Sequence, residues 1–407
     1  MGTIDFCQFR IERVPFEAYM LKLNKAIRLC QATGLSPAQL ETLVFSDNSQ
    51  GIINRDVLSR LFVSLFYQTR YGVNLDDALV LSGGTISTLA ADDQVSHFDR
   101  IFNSPSLGGT LFNPQNEPLA LQPGEGENSF ATAALKRGLG VNGGELRTLC
   151  HIVDSTITDT ITGDINAISH LWRLRLLARE HELSVQELNL LYQLSPCHGL
   201  NVDSLSLSQW RTLTEFLYQA RLLMTDMALS AGELYLLCTQ QSATSLTPEM
   251  NNLLLSVHPR LAGVAMDKQN PDSLAGLLSP FIAAALSLSS PEMGRYVLLW
   301  TQALRPDELS ITEFAQLAVL GSLSPEQSAR VARFCHAMAQ TAMMVPKLML
   351  SEAEVASLVH SGNQLIGEGL PTDRVNMLKS LHAFHRWLNG LGVRSSDMLA
   401  ALEHRGR

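Results

Sequence analysis

Leu183-Ser184-Val185-Gln186-Glu187-Leu188 is the start of a helix, legible from six side chains. A serine at the N-cap accepts from the backbone N–H of the third helical residue. A glutamate at that third position accepts in return from the serine's own N–H, and the flanking apolar residues close over the turn. Such a cap contributes about 1 kcal/mol. The same chemistry is written at Leu35-Ser36-Pro37-Ala38-Gln39-Leu40, Leu229-Ser230-Ala231-Gly232-Glu233-Leu234, Leu309-Ser310-Ile311-Thr312-Glu313-Phe314 and Leu350-Ser351-Glu352-Ala353-Glu354-Val355. Weaker copies begin at Val141 and Val393.

One capping box occurs often by chance, but regular spacing does not. The copies at 141 and 183 lie 42 residues apart, and 183 to 229 is 46. The interval from 229 to 309 is 80, two units of 40 with a degenerate copy near Asn270; 41 and 43 residues then lead to 350 and 393. A period of about 40–46 residues is that of two-helix solenoid repeats. Amphipathic stretches precede several boxes: Leu171 to Ala178, Phe216 to Leu223, Val331 to Met338 and Leu381 to Leu388, with apolar residues at helical spacing. The unit is therefore helix, tight turn with a capping box, helix, and stacking such hairpins buries a continuous core.

The expected fold class is all-α, an α-solenoid-like shell of helical hairpins with one irregular inserted segment. That segment runs over residues 83–128, where Gly83-Gly84, Asn113-Pro114, Pro118 and Gln122-Pro123-Gly124 are turn formers. The 106 residues between the boxes at 35 and 141 fit an insertion. The expected organisation is an N-terminal helical lobe over 1–128 and a hairpin-repeat lobe over 129–407. No stretch alternates long enough to predict a sheet.

Composition narrows the function. The chain of 407 residues carries a net charge of −9 and no run of basic residues, so it lacks the footprint of a nucleic-acid binder. The six cysteines stand apart with no CxxC pair, and most lie in apolar helical patterns, as reduced core thiols do. The opening Met1-Gly2-Thr3-Ile4-Asp5-Phe6 shows no basic n-region leading into an apolar stretch, and Phe6 stands where myristoylation needs Ser or Thr. The most apolar window, Leu274 to Leu288, is interrupted by Pro280 and is shorter than the roughly 20 residues a membrane span requires.

The most specific stretch is Phe98-Asp99-Arg100-Ile101-Phe102-Asn103-Ser104-Pro105-Ser106-Leu107-Gly108-Gly109-Thr110-Leu111-Phe112. It resembles a segment of the A component of bacterial Tc insecticidal toxin complexes: a Phe-Asp-Arg-Leu-Phe-Asn run, a Ser-Pro or Thr-Pro step, a Leu-Asn-Gly turn and a closing Phe. Phe98, Asp99, Arg100, Phe102, Asn103, Ser104, Pro105 and Phe112 match. Ile101 replaces the Leu and Gly108 the Asn. The order of parts also agrees: helical repeats, this segment, then repeats of the Leu-Ser-x-x-Glu-Leu kind.

The resemblance implies part of the outer helical shell of a secreted, pentameric, syringe-like pore-forming toxin. Such a chain acts in assembly, host-cell attachment and toxin delivery rather than catalysis. Its partners would be copies of itself or the rest of a split A component, with the B and C components and the host-cell surface reached indirectly. The segment itself reads as a packed structural loop anchoring two lobes, or as a partner-contact loop. Without that segment the repeats alone would describe a stand-alone α-solenoid adaptor that binds protein on a concave face.

Catalytic, cofactor and metal sites are not expected. His382 and His385 share a helix face but have no acidic or Cys residue near in sequence. Gly124 and Gly126 have no strand before them and no Walker lysine after, and neither HExxH nor GxSxG occurs. Asp76-Asp77 and Asp92-Asp93 read as charges near helix N-termini. Trp172, Trp210, Trp300 and Trp387 read as core.

Overall fold

A computed structural model describes residues 5–6, 9–10, 13–45, 52–90, 95–114, 118–121, 129–239, 245–265, 270–305, 308–320, 322–360, 374–391, 397 and 401. Among them are 18 α-helices and two short pairs of strands. The chain divides into two compact units, residues 1–219 and 220–407. The composition change near Asn128 falls inside the first unit. Contacts running past it hold that unit together: Pro118–Ala120 (β3) pairs antiparallel with Thr160–Thr162 (β4), with Leu119 opposite Ile161 and both buried. The strands were not expected, since three residues carry too little alternation to read. A second antiparallel pair joins Asp5–Phe6 (β1) to Phe9–Arg10 (β2).

The first unit contains α1 (Arg13–Thr33), α2 (Pro37–Phe45), α3 (Arg55–Tyr71), α4 (Leu75–Leu81), α5 (His97–Phe102), α6 (Phe130–Leu139), α7 (Gly143–Val153), α8 (Ile165–Glu180), α9 (Val185–Leu194) and the start of α10 (Leu207–Met227). Its core is organised by α8, which packs against α4, α6, α7 and α9. With neighbours on several sides, α8 buries Ile168, Leu171, Leu174, Leu176, Leu177 and Ala178 rather than a single stripe.

The second unit contains α11 (Ala231–Cys238), α12 (Pro248–Leu261), α13 (Pro271–Ala285), α14 (Pro291–Leu304), α15 (Ile311–Ala318), α16 (Pro325–Lys347), α17 (Glu352–His360) and α18 (Arg374–Gly390). Helices α13 and α14 pack against each other. They approach because Gly294 has no side chain: a β-carbon there would lie 2.5 Å from the carbonyl oxygen of Ser279. Pro280 sits inside α13 and lacks the N–H that would bond the carbonyl of Gly276. The Ser279 hydroxyl donates to that carbonyl at 2.9 Å and replaces the missing donor.

The reciprocal capping boxes form at Asn142/Glu145, Ser184/Glu187, Ser230/Glu233 and Ser310/Glu313. The same pair of bonds closes Ser36/Gln39 and Ser351/Glu354. The copy beginning at Val393 lies outside the described residues. Asn270 is half a box, because it accepts from the N–H of Ser273 and that serine has no carboxylate to return. Two further boxes, Ser206/Gln209 and Ser324/Gln327, start α10 and α16.

These boxes complete a corner whose first half is a helix stop. At the end of α8, Leu183 N–H donates to Ala178 O at 2.8 Å and Glu182 N–H to Arg179 O at 3.0 Å. Glu182 takes the left-handed conformation, φ 54. This is a Schellman closure, which glycine usually occupies. It recurs at Ala228, Ser287 and Met349, with Leu229, Leu288 and Leu350 donating to Met224, Ala283 and Val345. Gly140 plays the part before Val141. The leucine of the repeat is thus the last residue of the stop, and the serine after it is the first of the next start.

Candidate functional site

The resemblance segment forms α5 and the turn after it. Ser96 caps α5, accepting from Asp99 N–H at 3.0 Å and donating to Asp99 Oδ2 at 2.7 Å. Phe98 and Phe102 lie one turn apart on its inner face, and Phe112 returns beside them. Their ring centroids are 4.8, 5.6 and 5.7 Å apart, and all three side chains are buried. Aromatic rings at this spacing attract beyond the area they bury.

Asn103 holds the return of the chain. Its Oδ1 accepts from Phe112 N–H at 2.8 Å, and its Nδ2 donates to Phe112 O at 2.9 Å and to Asp99 Oδ1 at 2.7 Å. The amide does for Phe112 what a neighbouring strand would do. Arg100 is exposed and pairs with Asp76 of α4, while Arg137 of α6 donates to Phe102 O. Ser104 and Pro105 are exposed. Leu111 is 58% exposed, and Ile101 and Leu107 are half-buried, so the apolar residues of the segment are only partly packed.

Behind α5 lies a buried polar node that sequence reasoning did not find. Asp77 Oδ1 is 3.0 Å from Nε2 of His97 and accepts from Trp172 Nε1 at 2.9 Å. Its Oδ2 accepts from Asn74 Nδ2 at 3.0 Å and lies 3.7 Å from Arg179. Burial alone would raise the Asp77 carboxyl, but the bond and charge of His97, the Trp172 indole and Arg179 outweigh it, so the group lies below the usual carboxylate range. Asp76 and Asp77 do sit in the first turn of α4, as expected, yet Asp77 points inward.

Other candidates resolve into packing. His385 is buried, 3.4 Å from Glu354 of α17, with Asn389 2.8 Å from its other ring nitrogen. Among the described residues no three His, Cys, Asp or Glu side chains come together as a metal site. Cys150, Cys197, Cys238 and Cys335 are buried free thiols and Cys30 is half-buried. Burial pushes the Cys150 and Cys335 thiols up to about 12. Trp172, Trp210 and Trp300 are core residues, whereas Trp387 is 51% exposed. Asp92-Asp93 and Gly124/Gly126 lie outside the described residues. No helix among the described residues is long and apolar enough to cross a membrane.

The outer faces of the first unit carry more apolar surface than a solvated face needs. On α3, Val57, Leu61, Ser64 and Tyr67 are buried, while Leu58, Phe62, Leu65 and Phe66 stand exposed on another face, Phe62 at 72%. Leu58, Phe62, Leu65 and Phe66 follow the helical period, so α3 is apolar on two faces. On α1, Tyr19, Leu23 and Ile27 border an open groove floored by Leu40 and Val44 of α2.

No protein-family model matches the chain, and no curated protein matches it. Solved structures do. The cryo-EM structure of Morganella morganii TcdA4 is 28% identical, superposes with a TM-score of 0.78, and is matched over 95% of this chain and 16% of that chain. The cryo-EM structure of Yersinia pseudotuberculosis TcaA-TcaB, 19% identical, shares the fold with a TM-score of 0.67 over 93% of this chain and 20% of that one. The chain therefore spans a sixth to a fifth of the length of these structures. Its fold is that of the matched part of these Tc toxin structures, an A-component-like helical shell.

Proposed function

We propose that this chain is a structural segment of the helical shell of a Tc-type insecticidal pore-forming toxin A component, acting through assembly rather than catalysis. The observation that carries the reading is the match to TcdA4 across 95% of the chain. The Phe98–Phe112 segment supports it, because a generic helical repeat has no need of three clustered phenylalanines locked by an asparagine. In this reading the segment is structural: Phe98, Phe102, Asn103 and Phe112 fix α5 against its neighbours, and Asp99 and Arg100 tie it to Ser96 and Asp76.

Assembly into a pentamer, or with the remainder of a split A component, would cover the second apolar face of α3 and the groove beside α1. A helix with a second apolar face left exposed marks a surface suited to being covered by another element or molecule. The B and C components, the host-cell surface and an extracellular site of action enter through the assembled particle. The test is the particle mass of the chain co-expressed with its operon neighbours, by light scattering. A megadalton five-fold particle supports the proposal; a monomer with no neighbour attached overturns it.

A further inference from the structure

Within the second unit, a cavity of about 510 Å³ opens between the corner at residues 286–289, which joins α13 to α14, and the last turns of α16. Helix α16 lines it with Ala339, Ala342, Met343 and Pro346, spaced i, i+3, i+4 and i+7 along one face. Two of those four are alanines, so the helix leaves a space in front of the corner that larger side chains would fill. Met293 and Leu350 are buried at its floor, whereas Ser287, Ser289 and Pro346 are exposed at its rim. No charged side chain lines it, and the two serines are its only polar ones. The wall has one further polar feature. Pro346 has no N–H to give the carbonyl of Ala342, one turn back. In α13 the Ser279 hydroxyl repairs the same loss at Pro280, but the residue before Pro346 is Val345, which has no hydroxyl.

We propose that this cavity binds a neutral single-chain amphiphile, an aliphatic chain with a hydroxyl head group. Small-molecule sites are mostly apolar spaces of about 300–1,000 Å³ with a few polar groups that orient the ligand. The space here equals about 17 water volumes of ~30 Å³, ample for a chain of about eight carbons. Met293 and Met343 are flexible side chains that adapt to an unbranched chain. A charged head would be left unpaired against this lining, which disfavours a fatty acid or an amine. A hydroxyl suits it: the head supplies the donor that Pro346 withholds from Ala342, with the rim serines as further partners.

The test is calorimetric titration of the whole chain with 1-octanol, octanoate, octylammonium and 1-butanol. One saturable octanol site is expected. Octanoate and octylammonium should bind at least about ten-fold weaker. Butanol should bind roughly 100-fold weaker for its four missing methylenes. Ala339→Leu, at a half-exposed position, puts a larger side chain into the space and should weaken octanol at least about ten-fold. Ser287→Gly with Ser289→Ala, both at exposed positions, should weaken it several-fold and decides the matter if Ala339→Leu does not fold. Octanoate binding as tightly as octanol would overturn the neutral head group. Octanol affinity unchanged in these variants would place the alcohol elsewhere and overturn the site. Absence of saturable octanol binding would overturn it too, leaving the cavity to a side chain of a neighbouring subunit.

Discussion

Gly138 of α6 lies against the ring of Phe102 so closely that a β-carbon there would sit 2.1 Å from Cδ1. The glycine is the hole into which the phenylalanine fits. Gly138→Ala must push the ring out of a cluster buried on all sides. Overpacking of this kind costs about 1–3 kcal/mol. The expected result is a lower urea midpoint with an unchanged slope; a midpoint equal to the parent's would show that the cluster is loose.

Asn103 makes a parallel prediction on the polar side. Asn103→Ala leaves the buried N–H and C=O of Phe112 without their partner, a loss of about 2–3 kcal/mol. Asn103→Asp keeps the acceptor but loses the donor and sets a carboxylate beside Asp99, so it should not rescue. Thermal unfolding of the isolated chain checks both. A partner-contact role alone would leave the isolated chain's melting temperature unmoved.

The corners offer stabilising changes. Ala228 and Met349 adopt the left-handed conformation with side chains that disfavour it, and Met349 is 71% exposed. Removing the β-carbon relieves about 1 kcal/mol of strain, partly offset by the greater freedom of glycine in the unfolded chain. Ala228→Gly and Met349→Gly should each raise stability by about 0.5 kcal/mol and add when combined, measured by chemical denaturation. Ser184→Ala at a neighbouring corner should lower it by about 1 kcal/mol.

The acid side of the stability profile has an assignable part. His170 titrates near 4 in the folded chain against 6.5 in its ordinary state. Its folded value is depressed, so between those values the unfolded chain binds more protons and stability rises with pH. The contribution is complete above 6.5 and is lost as pH falls from 6.5 toward 4. His170→Gln should flatten the profile in that window. Asp77, also depressed, contributes above the ordinary carboxylate value and loses its contribution below it, so a residual acid slope should survive in that variant. An unchanged slope between pH 6.5 and 4 would remove His170 from the account.

What could be read in advance divides by distance along the chain. A capping box is complete within four residues, so Ser184/Glu187 and Ser310/Glu313 were visible as chemistry before any fold was known. Ser206/Gln209 and Ser324/Gln327 carry the same chemistry, but they start the intervening helices and so fall off the 40-residue spacing. The Asp77 node could not be seen, because Trp172 is 95 residues away and nothing local distinguishes Asp77 from Asp76. The same limit hid Glu354, which reaches His385 from a different helix. Phe98, Phe102 and Phe112 were recognisable as a segment, but that Asn103 fastens them became apparent only from its two bonds to Phe112.

The corners have a kinetic consequence as well. In the turn from Ala178 to Glu187 the hydrogen bonds that close the stop and the start span at most five residues. Closing a loop so short loses little chain entropy, and folds dominated by near-neighbour contacts form fast. Each corner can therefore set as soon as its ten residues are available, before the helices that pack against it exist. A chain built this way can fold in the order in which it is synthesised, with every hairpin presenting a formed edge to the next.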